Sequence, residues 1–338
     1  MILSKAEVQL VESYTKTFEH VVANCIDTSR PTIIITDEGS KGHRVAAMLA
    51  HGYKRAIPNA SVYEQSVKRG YMHANPIIVK RLRSLEQGNI ILCVSDKLGR
   101  LGHVKSFRRF CKEQNHVFYS ATRLGKVSTV QFGQYMEALN VNYKRLQKVG
   151  ESYKKKLDRA SRLRIMTEVG TDLWFNCKES VAMLNSGSYT AGEGGNMPSG
   201  EVYIPPSGDV NGRIVLDGSI KTKDGSKILN DPVILTIEDS SITNVEGPDA
   251  HLLIELFSQY EERAQFPERI RKVAQVGFGI NPNAVLMGLP VLDQKTFGTA
   301  YIGIGSNYWF GGDNKTIFHG DFVFKNPRLF IDGVEFRP

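Results

Sequence analysis

The chain has 338 residues, 41% of them apolar and 23% charged, with a formal net charge of +8. That length suffices for two domains with cores of their own, and the apolar share is that of a globular protein. No apolar run approaches the eighteen or so residues of a membrane span, and residues 1–5 lack the charged-then-apolar order of a secretory signal.

The charge is uneven. Residues 1–165 carry 29 Lys+Arg against 13 Asp+Glu, a net of +16, and the remainder carries −8. A basic half beside an acidic half suggests two domains and a basic surface that meets an anionic partner. Nucleic acid is not favoured, because the basic residues lack interleaved aromatics and form no nucleic-acid motif. A solvated face, or one docked on the acidic half of a second subunit, is preferred. Cys25, Cys93, Cys111 and Cys177 are scattered without a C-x-x-C pair, so they read as reduced thiols of a cytoplasmic protein rather than as zinc ligands.

In chain order, Ser4-Lys5-Ala6-Glu7 is a capping box that opens a helix with Val8, Val11, Thr15, Phe18 and Val22 on one face. Thr32–Thr36 is a short apolar run, expected as a strand buried on both sides. Further strands are expected at Ala60–Tyr63, Ile90–Val94 and Val117–Tyr119, with helices between them; Asn75-Pro76 starts one of these helices. The alternation predicts a parallel sheet with helices on its faces. Ligands of such sheets lie beyond the carboxyl ends of the strands, where Lys41 and Arg44 in one loop and Lys97 and Arg100 in another offer positive charge to a substrate. Neither loop is a phosphate-binding motif, and ordinary strand–helix turns use the same residues.

Residues 134–162 read as one or two helices ending in the basic run Lys154-Lys155-Lys156. From Leu163 the pattern turns to short alternating strands, broken by a helix through Leu252, Leu253, Leu256 and Phe257. The expected organisation is a basic α/β domain over 1–150, a helical linker over 151–162, and an α+β domain over 163–338 with mostly antiparallel strands. In its last forty residues, His319-Gly320-Asp321 follows a Gly311-Gly312 turn. On a strand, residues two apart share a face about 7 Å apart, so His319 and Asp321 can hold one metal ion; a surface pair near a hairpin is the plainer reading of so short a pattern.

Several segments together resemble the thermophilic aminopeptidases of the aminopeptidase T group. They are Gly170–Leu173, Asn196–Val202, Gly277–Pro282, Ile302–Tyr308, Gly311-Gly312 and His319–Asp321. The resemblance covers residues 163–338; the first half matches only in its general α/β pattern. It implies an aminopeptidase T-like fold, a homodimer and metal ligands at Glu201, His319 and Asp321, with Tyr308 beside the metal as a catalytic residue. Gln275 stands where that family has a ligating Glu, and Tyr301 where it has a ligating His. Gln275 becomes a weak fourth ligand, Tyr301 a substrate-binding residue, and Glu201 both ligand and catalytic group.

Three functions are expected from these residues. The first is a metallohydrolase of a peptide or other amide, acidic substrates included, with one divalent ion (zinc, cobalt, manganese or iron). The second is a pseudo-enzyme that binds peptides without cleaving them and needs no metal. The third comes from the ring-opening dioxygenases of dihydroxypyridines, relatives that hold one ferrous iron through two His and one Asp. Two of those ligands match His319 and Asp321; the third falls at Gln275. The other histidines, His20, His43, His51, His73, His103, His116 and His251, are scattered and carry no assigned role.

Overall fold

The computed structural model describes residues 3–103, 106–223 and 225–337. Met1 and Ile2, part of the segment read as lacking a signal, lie outside them. The chain divides into two compact units. One holds residues 1–143 and 185–199, the other 144–184 and 200–338. No described helix is long and apolar enough to cross a membrane.

In the first unit the capping box forms as expected, with Ser4 Oγ accepting from the Glu7 N–H and the Glu7 carboxylate from the Ser4 N–H. The helix predicted after it is two, Lys5–Ser13 and Thr15–Cys25, separated at Tyr14. The strands Thr32–Asp37, Ser61–Gln65, Asn89–Cys93 and Val117–Ala121 form a parallel sheet. Ile33, Ile35, Ile90, Leu92 and Phe118 pack on the helix residues Ile78, Leu82, Phe110 and Cys111 in one buried cluster. Each fully buried apolar side chain of this kind contributes about 1.5–3 kcal/mol. A fifth parallel strand, Gly194–Asn196, joins beside Val117–Ala121. It comes from the returning segment 185–199, and Gly194 belongs there because a Cβ would lie 2.2 Å from the Phe118 carbonyl oxygen.

The helix Tyr143–Leu157, which covers most of the expected linker, runs with the second unit from Lys144 onward. That unit has a seven-stranded antiparallel sheet, from Ser241–Glu246 at one edge to Val334–Phe336 at the other. A second antiparallel sheet carries, in spatial order, His319–Lys325, Thr299–Gly305, Val273–Gly279 and Glu201–Ile204. Its register sorts the side chains between its two faces, because paired residues of antiparallel strands point to one side. The pairs Gly279–Glu201, Gln275–Gly303, Gly277–Tyr301, Gly303–Asp321 and Gly305–His319 therefore put all these residues on the same side. The other side is apolar. Val276, Phe278, Ile302, Ile304, Phe322 and Phe324 are buried there, and Phe257 of the helix Ala250–Glu261 meets Phe322 edge to face.

Candidate active site

The polar face of this sheet is tightly packed, and three of its central positions are glycine because neighbouring groups already fill the space a side chain would take. A Cβ on Gly277 would lie 2.2 Å from the Tyr301 ring. One on Gly303 would lie 2.5 Å from Gln275 Cγ and 2.9 Å from Asp321 Oδ1. One on Gly279 would strike the Thr296 carbonyl oxygen at 2.1 Å, so this glycine lets the backbone of 295–296 lie directly on the sheet beside Glu201.

That close approach delivers two residues that the sequence does not single out, Gln294 and Lys295. They follow the short helix Pro290–Asp293, where neither periodicity nor a motif marks them. Lys295 is fully buried, and its ammonium lies 2.7 Å from Glu201 Oε1. The other Glu201 oxygen accepts from the Tyr301 hydroxyl at 3.0 Å. Burial, followed by the charge of Glu201, pushes the Tyr301 phenol well above its ordinary range, so it stays a donor. Lys295 also donates to Gln294 Oε1 at 3.1 Å, and the Gln294 amide donates in turn to Asp321 Oδ2.

Asp321 Oδ1 accepts from Gln275 Nε2 at 3.1 Å and lies 3.4 Å from His319 Nε2. Burial pushes the Asp321 carboxyl up, but His319, Gln275 and Lys295 together outweigh it and hold the carboxyl below the usual carboxylate range. His319 Nδ1 is 2.9 Å from the Ser306 carbonyl. A carbonyl only accepts, so Nδ1 carries a proton there. Nε2 then faces Asp321 either as an imidazolium N–H or with a lone pair that needs a cation between the two groups. A ring nitrogen fixed on a carbonyl while its partner faces a carboxylate is the usual posture of a metal-ligating histidine. The turn before His319 is well held: Asn314 donates to the Gly305 carbonyl at 2.7 Å and to the Arg269 carbonyl at 3.0 Å. A Cβ at Gly312 would collide with Asn307, which explains the second glycine of the Gly311-Gly312 turn.

No three of His, Cys, Asp and Glu gather into a metal-holding group among the described residues. A third donor does exist. Gln275 Oε1 is buried on the same face with no hydrogen-bond partner. An imidazole, a carboxylate and this orphaned amide oxygen make a three-donor set that fits one divalent ion, with one neutral oxygen in place of a second imidazole.

The structure thus brings Glu201, Gln275, Tyr301, His319 and Asp321 onto one face. The two Glu201 oxygens are engaged by Lys295 and Tyr301 rather than turned to an ion. Tyr308 stands apart. It sits on the turn after the strand Thr299–Gly305, is half exposed, and has the Lys315 ammonium over its ring at 5.4 Å. Lys41, Arg44, Lys97 and Arg100 all belong to the first unit. Lys97 donates to the Gly70 carbonyl at 3.3 Å, and Arg100 stacks on the Tyr71 ring at 4.5 Å.

Comparison with known proteins gives two findings. A sequence model of the NicX family, described as 2,5-dihydroxypyridine 5,6-dioxygenase, matches residues 14–336. The solved structure of a 2,5-dihydroxypyridine dioxygenase from Pseudomonas putida KT2440 superposes with a TM-score of 0.74, covering 97% of this chain and 98% of that one. Their sequence identity is 17%, so the superposition speaks for the fold alone. Among curated protein sequences nothing matches. The match over 14–336 overturns the aminopeptidase T resemblance, and with it the metallopeptidase reading, amide hydrolysis and a peptide partner. The physical reason lies in the two replaced positions. Tyr301 and Gln275 stand where the aminopeptidase resemblance implies a ligating His and Glu, and a protein ammonium, Lys295, sits on Glu201 where that resemblance needs a carboxylate open to the metal.

Proposed function

The chain belongs to the family of 2,5-dihydroxypyridine 5,6-dioxygenases, and from that membership we propose that it opens the ring of a small hydroxylated N-heteroaromatic with dioxygen, using one ferrous ion. The observation that carries the proposal is the facing pair of His319 Nε2 and Asp321 Oδ1 beside the orphaned Gln275 Oε1, within a chain matched to that family from 14 to 336.

Gln275 Oε1, His319 Nε2 and Asp321 would hold the ion. When bound, ferrous iron supplies the electron that triplet dioxygen needs to react with a closed-shell aromatic ring. The chain's own groups do the rest. Tyr203, Tyr301 and Val323, with Met183, Leu286 and Phe310 packed on them, form a buried apolar cluster beside Glu201 that keeps water from the polar groups. Glu201, held by Lys295 and Tyr301, is the carboxylate placed to orient an acidic hydroxyl or ring N–H of the substrate. Ser306 fixes the His319 tautomer. The four cysteines are unpaired and buried, which supports a reducing, cytoplasmic location.

The test is an oxygen-electrode assay on protein purified anaerobically and loaded with ferrous ion, with 2,5-dihydroxypyridine and its ring-substituted analogues. The expected result is oxygen uptake matched by loss of the ring's ultraviolet absorbance, both abolished in His319→Ala. A ferrous-loaded wild type that consumes no oxygen with any of these compounds rejects the proposal.

A further inference from the structure

Gln294 has no role in the reaction just described and Lys295 only holds Glu201, yet the two residues tie the halves of the site together. One unbroken path runs from the Tyr301 hydroxyl to Glu201, to the Lys295 ammonium, to the Gln294 carboxamide and on to Asp321. Each step of the path is fixed in direction. An ammonium only donates, so the Gln294 oxygen must face Lys295 and its NH2 must face Asp321. The amide therefore has one orientation, set by a charge it does not share. Lys295 in turn has no freedom to move: it is fully buried, and Glu201 holds it at 2.7 Å. The backbone beneath is equally fixed, because Asn281 donates to the Lys295 carbonyl at 2.8 Å and Phe297 donates to the Asn281 carbonyl at 3.0 Å.

We propose that Gln294 is a positioning residue for the metal site, anchored by Lys295, and that it sets the affinity for the ion without touching it. The proposal rests on the reading of Gln275, His319 and Asp321 as ligands. Two amide donors flank the Asp321 carboxylate, Gln275 on Oδ1 and Gln294 on Oδ2. Together they stop it rotating about its Cβ–Cγ bond and leave its remaining lone pairs toward His319. A neutral donor does this without adding positive charge next to the ion, which a lysine or arginine in the same place would do. The ammonium that enforces the arrangement stays one residue further back, where Glu201 neutralises it. Partners of this kind, one bond removed from the ion, govern both orientation and basicity of a ligand.

The experiment measures ferrous affinity of the intact protein under anaerobic conditions, by competition with a chromogenic chelator, together with melting temperature and circular dichroism. Two variants are compared with wild type. Gln294→Met keeps the length of the side chain and removes its donor. The paired variant Glu201→Gln with Lys295→Met keeps the net charge and removes the anchor of Gln294. Wild type is expected to bind one ion, and each variant to bind it about 10–100-fold more weakly with its fold retained. A folded variant of either kind that binds as tightly as wild type overturns the positioning role and leaves the ring-opening reading standing. If Gln294→Met does not fold, the paired variant decides. A wild type that binds no ferrous ion overturns the ring-opening reading, and the positioning role with it.

Discussion

A histidine that gives one ring nitrogen to a backbone carbonyl has a single nitrogen left for chemistry, and in His319 that nitrogen faces Asp321. In the proposed ligand set Gln275 would be the weak member, because an amide oxygen is neutral and a poorer donor to iron than an imidazole. Gln275→His should therefore raise ferrous affinity about tenfold or more, the scale of effects at and just beyond a ligand, as read by chelator competition. Weaker binding in that variant would show that Gln275 does not face the ion. Lys295 makes a stability prediction of its own. Lys295→Met leaves the Glu201 charge buried beside a tyrosine, and urea unfolding should show a loss of about 3–5 kcal/mol. Adding Glu201→Gln should restore most of that loss, since the uncompensated charge is then gone.

At the scale of the element, the sheet face works through what it omits. Gly303 stands between Gln275 and Asp321, and a methyl group there must displace both. Gly303→Ala should cost about 1–3 kcal/mol in urea unfolding and weaken ion binding in parallel. Gly277→Ala should cost a similar amount through the Tyr301 ring, with a smaller effect on the ion. The sequence carries part of this in the open. Buried runs such as Thr32–Thr36 and Ile90–Val94 can be read as strands because every residue is apolar or β-branched, and they fall within the strands Thr32–Asp37 and Asn89–Cys93 to within a residue. His319 and Asp321 can be placed on one face because a strand has a period of two. Gln294 and Lys295 cannot be placed, since their position depends on which strand pairs with which. The available signal is indirect: glycines at 277, 279, 303 and 305 alternate with apolar residues and so empty one face. Tyr308 enters as a site residue through the aminopeptidase resemblance alone, not from strand pairing. It adjoins the conspicuous Ser306-Asn307 pair but lies on an exposed turn.

For the molecule as a whole, the chain visits the first unit twice, and His116 marks where the two visits join. Its backbone carbonyl accepts from the Gly192 N–H at 3.1 Å, and its Nδ1 accepts from the Gly88 N–H at 3.2 Å. Burial pushes the imidazole below its ordinary pKa. A histidine whose folded pKa is depressed binds fewer protons folded than unfolded, so stability is lost as pH falls through the unfolded value of about 6.5 toward the folded one. Urea unfolding between about pH 7.5 and 5 should show that loss in wild type and a flatter profile in His116→Gln. An identical slope in the two would remove His116 from the account.

The return of residues 185–199 to the first sheet also limits how the molecule can be taken apart. A fragment ending at 143 would lose Gly194–Asn196 and leave the Val117–Ala121 edge with unpaired backbone groups over five buried, largely apolar residues. Such an edge is a template for pairing with another chain. The first unit is not a contiguous module, so shuffling or swapping it by a single crossover would yield aggregates, whereas a graft that carries the returning strand along would stay in solution.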